Sequence, residues 1–413
     1  MFKMKKSFLA VLCVTVIVIV SASVATYYYS GLLSPSQNPT SEPTTAPTSI
    51  PQETVSPTEL PSFTEQPTSS PSASPTTVLP TPTPEPTSVT ITDMRNKTIT
   101  LQLPIKRIVM VPVPDPAIYY SVGGNCSEIV GMNPQSLTFA KESVLSVLAP
   151  ELLNASTSFV VSGFEVNIEE LVKLKPDVVI QWARSAAEIK SCEQIEAVGI
   201  PVIGVKGAQP GTQVELDAKI RIYGQLAGNE EKAEELIAYH HNVIDSIMAV
   251  VKNIPTENKP RVLFLYSGLQ VGGNGTYEDW WIETSGGINV ADSIQGRITV
   301  TMEQIIAWNP DTIYIGTSHS AQPADLIGNK ISGQDWSQID AIKTGQVYKV
   351  PIGAYRWDPP NAESPLMLKL VEKQYPSLFS YEMQKEIRDF FLKFYSYQIT
   401  DVQLTKILGT STT

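Results

Sequence analysis

From Val89 onward the chain alternates short apolar runs with stretches of helical periodicity. "VTITDMRNKTITLQL" predicts two strands about a tight turn, and "KRIVMVPVPDPAIYYSVGG" predicts a strand, a turn and a helix. Much later "PRVLFLYSGLQVGGNG" opens the same way. Two fifteen-residue stretches, "VNIEELVKLKPDVVI" from Val166 and "VTMEQIIAWNPDTIY" from Val300, align without a gap at an offset of 134. Each predicts an amphipathic helix, a Pro-Asp turn and a buried strand. Two echoes in the same order predict two similar α/β lobes. Between them "TQVELDAKIRIYGQLAG" and "NEEKAEELIAYHHNVIDSIMAVVKN" keep a 3.6-residue period, with Asn229 as an N-cap. A helical strut of that length limits rotation of one lobe against the other.

The pattern before Val89 is different. Lys3, Lys5 and Lys6 precede an apolar run from Phe8, which with Ser21 to Tyr29 reaches the roughly 20 residues that a bilayer needs. This is an export signal, retained as an anchor or cleaved near Ser23-Val24-Ala25; Cys13 lacks the setting of a lipid-modified cysteine. Residues 31–88 hold 14 of the 32 prolines, with much Ser and Thr, and predict an extended tether that buries no core. The divisions expected are 1–30 (signal peptide or anchor), 31–88 (linker), 89–212 (first lobe), 213–254 (connecting helices) and 255–413 (second lobe with terminal helices). Sequons begin at Asn96, Asn125, Asn154 and Asn274, which fits a glycosylated protein on the outer side of a membrane.

Beyond the linker the body carries 27 basic and 36 acidic side chains, a balance that repels phosphate backbones and argues against nucleic acid. Three cysteines without CxxC spacing build neither a disulfide scaffold nor a zinc site, although Cys126 and Cys192 share a lobe and a pairing stays open. No GxSxG, HExxH or GxxxxGK[ST] occurs, and the adjacent His240 and His241 cannot share a metal, so neither catalytic residues nor a resident metal or cofactor are expected.

Ligands of open α/β sheets sit beyond the carboxyl ends of the strands. That rule nominates Trp182 and Arg184 after one repeat strand and His319 after the other, with Tyr119, Tyr120 and Tyr266 from the first-strand loops. Arg297, Tyr355, Arg356 and Trp357 complete an aromatic and cationic set suited to a bulky guest with anionic edges. Trp357 beside two prolines also reads as a turn brace. One of Trp280 and Trp281, and both Trp308 and Trp336, read as core. Asp115 with Asp358 is the one carboxylate pair that a surface hydrolase could use.

These residues resemble a known family. The ordered series "G…VNIEELVKLKPDVVI", "IEAVGIPVIGV", "SGGINVADSI…VTMEQIIAWNPDTIYIG", "WSQIDAIKTGQVYKVP" and "ESPLMLKLVEKQYP" resembles ABC-transporter substrate-binding proteins that handle ferric siderophores, haem and vitamin B12. The resemblance implies two Rossmann-like lobes joined by a long rigid helix, with the ligand held between them and only modest closure. It implies a monomer that performs no catalysis and delivers a metal chelate to permease and ATPase subunits. It matches Trp182 to a ligand-contacting tryptophan, and Glu188 and Glu303 to acidic residues that dock on the permease. Arg297 stands where B12-binding members have an aromatic contact. The expected guest is an iron complex of the ferric-siderophore kind, with cobalamin, haem or a molybdate-type oxyanion as alternatives on the same fold. A cell-surface hydrolase or a sensing or adhesion module is the alternative of another class. The tether in place of a lipid-modified cysteine points to an archaeal-type envelope.

Overall fold

The computed structural model describes residues 87–207 and 213–409. The chain divides into two units, Met1–Pro80 and Thr81–Thr413, and every described residue belongs to the second. The expected signal or anchor and all but the end of the expected tether lie outside the described residues. Among the described residues no helix is long and apolar enough to cross a membrane.

The expected opening hairpin forms from β1 (Ser88–Thr92) and β2 (Thr98–Gln102), with Asn96 left-handed in its turn. The first lobe follows with β3 (Ile108–Met110), β4 (Ile129–Met132), β5 (Val160–Ser162), β6 (Glu165–Val166), β7 (Val178–Trp182) and β8 (Val202–Val205). Its main sheet runs β4-β3-β7-β8, all parallel; β5 and β6 make a separate small ribbon. The second lobe holds β9 (Arg261–Ser267), β10 (Gln270–Gly272), β11 (Ile288–Asn289), β12 (Arg297–Thr299), β13 (Thr312–Ile315) and β14 (Val347–Lys349). Its order is β12-β10-β9-β13-β14, with β11 also on β9. The continuous apolar runs of β3, β7, β8 and β13 are buried throughout, as parallel strands covered on both faces require.

Strand alternation sorts these residues into cores. Ile108, Met110, Val178 and Ile180 share one inner core with Val262, Phe264 and Tyr314 of the second lobe. Helices Gln213–Ala227 and Glu230–Val251, which lie between the lobes in sequence, add Leu216, Ile220, Tyr223 and Leu236 to it. The alternate residues Val109 and Val179 close an outer core in the first lobe, and Leu263, Leu265, Ile313 and Ile315 close one in the second. Cys126 belongs to the inner core and Cys192 to the first outer core; both are buried free thiols, so they do not pair. Trp281 and Trp336 are wholly buried, as expected, while Trp280 stacks on Tyr277. Asn229 precedes its helix but makes no side-chain cap.

The two aligned stretches occupy equivalent settings. Asn167 caps helix Ile168–Lys173 by accepting from Glu170 N, and Thr301 caps helix Met302–Trp308 by accepting from Gln304 N. Each helix ends in a left-handed residue, Lys175 and Asn309. The carbonyls of Leu174 and Trp308 accept from Arg107 Nη2 at 2.7 Å and Arg261 Nη2 at 2.6 Å. Asp177 and Asp311 then take the Arg107 and Arg261 backbone N–H groups. The repeat therefore conserves a helix stop and a strand entry as one hydrogen-bonded unit.

Candidate functional site

Beyond the carboxyl ends of β3, β7 and β9 lies a cleft of about 430 Å³, lined from both lobes. Six of the ten residues nominated for ligand contact line it: Trp182, Arg184, Tyr266, Arg297, Tyr355 and Arg356. Trp182 ends β7, and its backbone N–H is tied to the Gln181 side chain at 2.8 Å. Its ring packs edge-on against Phe164, and the Arg184 guanidinium lies 4.3 Å from it. Across the cleft Arg297 lies 4.3 Å over Tyr266, and Arg356 lies 4.3 Å over Phe139 of the first lobe. Stacking leaves the guanidinium edges to bond in their own plane, and here Arg184 bonds Glu188, Arg297 bonds Glu278 and Arg356 bonds Ser318.

Lys219, on helix Gln213–Ala227, is the fourth cation of the lining. It is 2% exposed and stands 4.8 Å from the Trp182 ring. Each of the four cations has a carboxylate. Arg184 meets Glu188; Lys219 meets Asp115 at 2.9 Å; Arg297 meets Glu278 at 2.6 Å; Arg356 faces Asp358 at 4.0 Å. Asp115, Glu278 and Asp358 are buried. Burial raises the Asp115 carboxyl above its ordinary range, against the pull of Lys219 and the Tyr223 hydroxyl. Partial burial pushes Glu188 up as well, yet the bonds from Arg184 hold it below the usual range. The indole N–H of Trp182 is buried and has no hydrogen-bond partner among the described residues. A guest with an acceptor oxygen would satisfy it.

The other four nominees sit in packed surroundings. Tyr119 is 1% exposed, edge-on to Tyr223, with its hydroxyl donated to Glu128. Tyr120 packs against Tyr395. His319 accepts Ala321 N–H on Nδ1 and donates from Nε2 to Gly268 O, tying its loop to the β9–β10 turn. Trp357 is fully buried and donates to Glu363. The loop after β13 acts one layer back: Thr317 holds Asp358, and Ser318 accepts from Arg356 at 2.5 Å. The Asp115–Asp358 pair nominated for hydrolysis is committed to Lys219, Tyr223 and Thr317.

Glu303 is exposed and stands second in its helix. The offset of 134 pairs it with Glu169, also exposed and second in its own helix. Glu188, by contrast, accepts from the Arg184 side chain and backbone. Lys219, Phe164 and Gln135 join the lining without having been nominated. The legible signal for Lys219 was a lysine on the apolar stripe Leu216-Ile220-Tyr223, where a charge needs a partner.

A family model described as "Periplasmic binding protein" matches residues 156–352. The fold resembles a crystal structure of a periplasmic solute binding protein from Veillonella parvula, 36% identical, covering 78% of this chain and 97% of that one, with a TM-score of 0.72. An uncharacterized ABC transporter substrate-binding lipoprotein of Bacillus subtilis is 28% identical over 296 residues, 70% of this chain and 87% of the relative. The molybdate-binding protein MolA of Haemophilus influenzae is 26% identical over 269 residues, 60% of this chain and 74% of the relative. With a cleft lined from two sheet-bearing lobes and likeness over nearly the whole of a solved relative, this chain belongs to the periplasmic binding protein family, a non-catalytic transport class.

Proposed function

We propose that the protein is an extracytoplasmic binding protein, attached to the membrane through residues 1–88, that captures an anionic metal complex and hands it to an ABC permease and its ATPase. Two buried N–H groups without a hydrogen-bond partner among the described residues, Trp182 Nε1 and Arg356 Nε, in a cleft of about 430 Å³ with aromatic walls and four carboxylate-held cations carry this reading. A ferric chelate with anionic oxygen edges fits best. It supplies acceptors for Arg356 Nε and the Trp182 indole, and a body broad enough to touch both walls. A molybdate-type oxyanion is the second reading, favoured by the likeness to MolA and by the same four cations. Helices Gln213–Ala227 and Glu230–Val251, sharing the inner core with both sheets, support a stiff connection with limited closure. For docking, Glu169 with Glu303 is the better-supported pair: both carboxylates are exposed and repeat-related, whereas Glu188 serves Arg184.

Tryptophan-quenching titrations with ferric hydroxamate and catecholate chelates, haemin, cyanocobalamin and molybdate test the ligand. A ferric chelate is expected to bind in the micromolar range or tighter, with affinity falling about tenfold or more in Trp182→Phe, which keeps the packing and loses the indole N–H. Saturation by molybdate alone would select the second reading, and saturation by none would overturn both.

A further inference from the structure

Glu363 is fully buried against the segment that carries Tyr355 and Arg356 into the cleft. Its Oε1 accepts from Ala354 N at 2.7 Å and from the Tyr395 hydroxyl at 2.9 Å; its Oε2 accepts from Trp357 Nε1 at 2.5 Å. All three donors are neutral. The segment folds back on itself around this carboxylate, with Ile352 bridged to Arg356 and Gly353 N donating to Tyr355 O. At Gly353 a Cβ would sit 1.9 Å from Oε2, so only glycine lets the backbone close over the acid. Two contacts then reach the first lobe. Gly353 O accepts from Val144 N at 3.0 Å, and the Arg356 guanidinium lies on Phe139.

We propose that Glu363 is a positioning residue of the cleft: its ionised carboxylate holds residues 352–357 in place, and with them Arg356 and the contact to Val144, so that protonation loosens this wall. A protonated acid needs an acceptor for its own proton and gives up one of the bonds it receives. The inference rests on the reading of the cleft as the ligand site, but its test needs no ligand.

Burial pushes the Glu363 carboxyl up, to about 7, against the lowering effect of the bonds from Ala354, Tyr395, Trp357 and the Tyr355 backbone. Tyr395, Tyr355 and His240 do not share that range. Tyr395, from helix Met383–Tyr395, and Tyr355, on the segment itself, are both pushed up by burial and stay protonated. His240, from helix Glu230–Val251, donates to the adjacent Ala362 carbonyl and is pushed by burial down to about 4, so it stays neutral. Arg356 and Asp358 on the segment face one another. Glu363 is thus the group here that changes charge near neutrality.

The full-length protein labelled with 15N-tryptophan, one indole signal for each of its six tryptophans, provides the readout. The Trp357 Nε1–H signal, identified by its loss in Trp357→Phe, is expected to shift with a midpoint near 7 and to stay fixed in Glu363→Gln. Amide exchange at Ala354 and Val144, referred to the outer-core strand β13, is expected to quicken roughly tenfold below the midpoint and in Glu363→Gln at any pH. Tyr395→Phe keeps the acid and removes one donor, so it is expected to move the midpoint upward; it serves if Glu363→Gln does not fold. A Trp357 signal that does not titrate, a midpoint unmoved by Tyr395→Phe, or exchange at Ala354 and Val144 indifferent to pH would each overturn the proposal.

Discussion

Lys219 Nζ stands 2.9 Å from Asp115 Oδ1, the lysine 2% exposed on the cleft wall and the aspartate wholly buried behind it. The Tyr223 hydroxyl donates to the other carboxylate oxygen, so the acid depends on two partners inside a low-dielectric core. Lys219→Met removes the counter-ion and is expected to cost about 3–5 kcal/mol. Lys219→Met with Asp115→Asn is expected to recover a good part of that, because no uncompensated charge remains. Urea unfolding of the wild type, both single variants and the double variant measures the coupling; strictly additive losses would mean that the pair acts as two separate polar groups.

His240 has a defined stability signature. Burial lowers its pKa from 6.5 to about 4 in the fold, so the unfolded chain binds more protons between those values. Its contribution is full above about 6.5 and is lost as the pH falls towards 4, by roughly 3 kcal/mol. For global unfolding, which returns the carboxyl to water rather than leaving it buried with fewer donors, Glu363 has the opposite sign. Its pKa rises from 4.5 to about 7 on folding, so its contribution is full below 4.5 and is lost as the pH rises through 7. The two windows overlap and oppose each other. His240→Asn is therefore expected to gain stability, relative to wild type, as the pH falls from 7 to about 4.5, and Glu363→Gln to lose it. Denaturant midpoints at several pH values decide this, with parallel curves for all three proteins as the contrary result.

Arg297 and Glu278 form a second charge pair with one member fully buried. Arg297→Lys keeps the charge but loses both the planar stack on Tyr266 and the two-pronged contact, so ligand affinity is expected to fall about tenfold or more. Titration with the complex that saturates the wild type measures it; full affinity in the lysine variant would reduce Arg297 to a bare point charge.

Substitution of the repeat-related carboxylates tests their proposed docking role apart from capture. Glu169→Ala with Glu303→Ala is expected to abolish uptake in cells while leaving ligand affinity within about threefold, since neither side chain lines the cleft. Glu188→Ala is expected to act at the ligand, by releasing Arg184 from its fixed orientation. Uptake assays paired with titrations check both halves; normal uptake by the double variant would remove the docking role.

The α/β class and the repeated lobe were legible because Val166–Ile180 and Val300–Tyr314 carry helix period, Pro-Asp turn and apolar strand in the same order. The place of Trp182 and Arg184 in the cleft lining was legible because open α/β sheets form their clefts at strand ends. Tyr119 and His319 satisfied the same rule and yet went inward, since Glu128 and Gly268 O offered partners that no local pattern announces. Lys219 and Glu363 escaped for the converse reason. The sequence places Lys219 about a hundred residues from Asp115, and Glu363 some thirty from Tyr395; only the packed chain brings them together.

Lys175 and Asn309 stop matched helices with the same left-handed backbone, one with a side chain poorly suited to it and the other with one that tolerates it. The two halves thus act as each other's template: where they disagree at a shared geometry, the fitter choice can be borrowed. Lys175→Asn transplants the second half's solution into the first and should yield a gain of about 0.5–1 kcal/mol at a position that does not line the cleft.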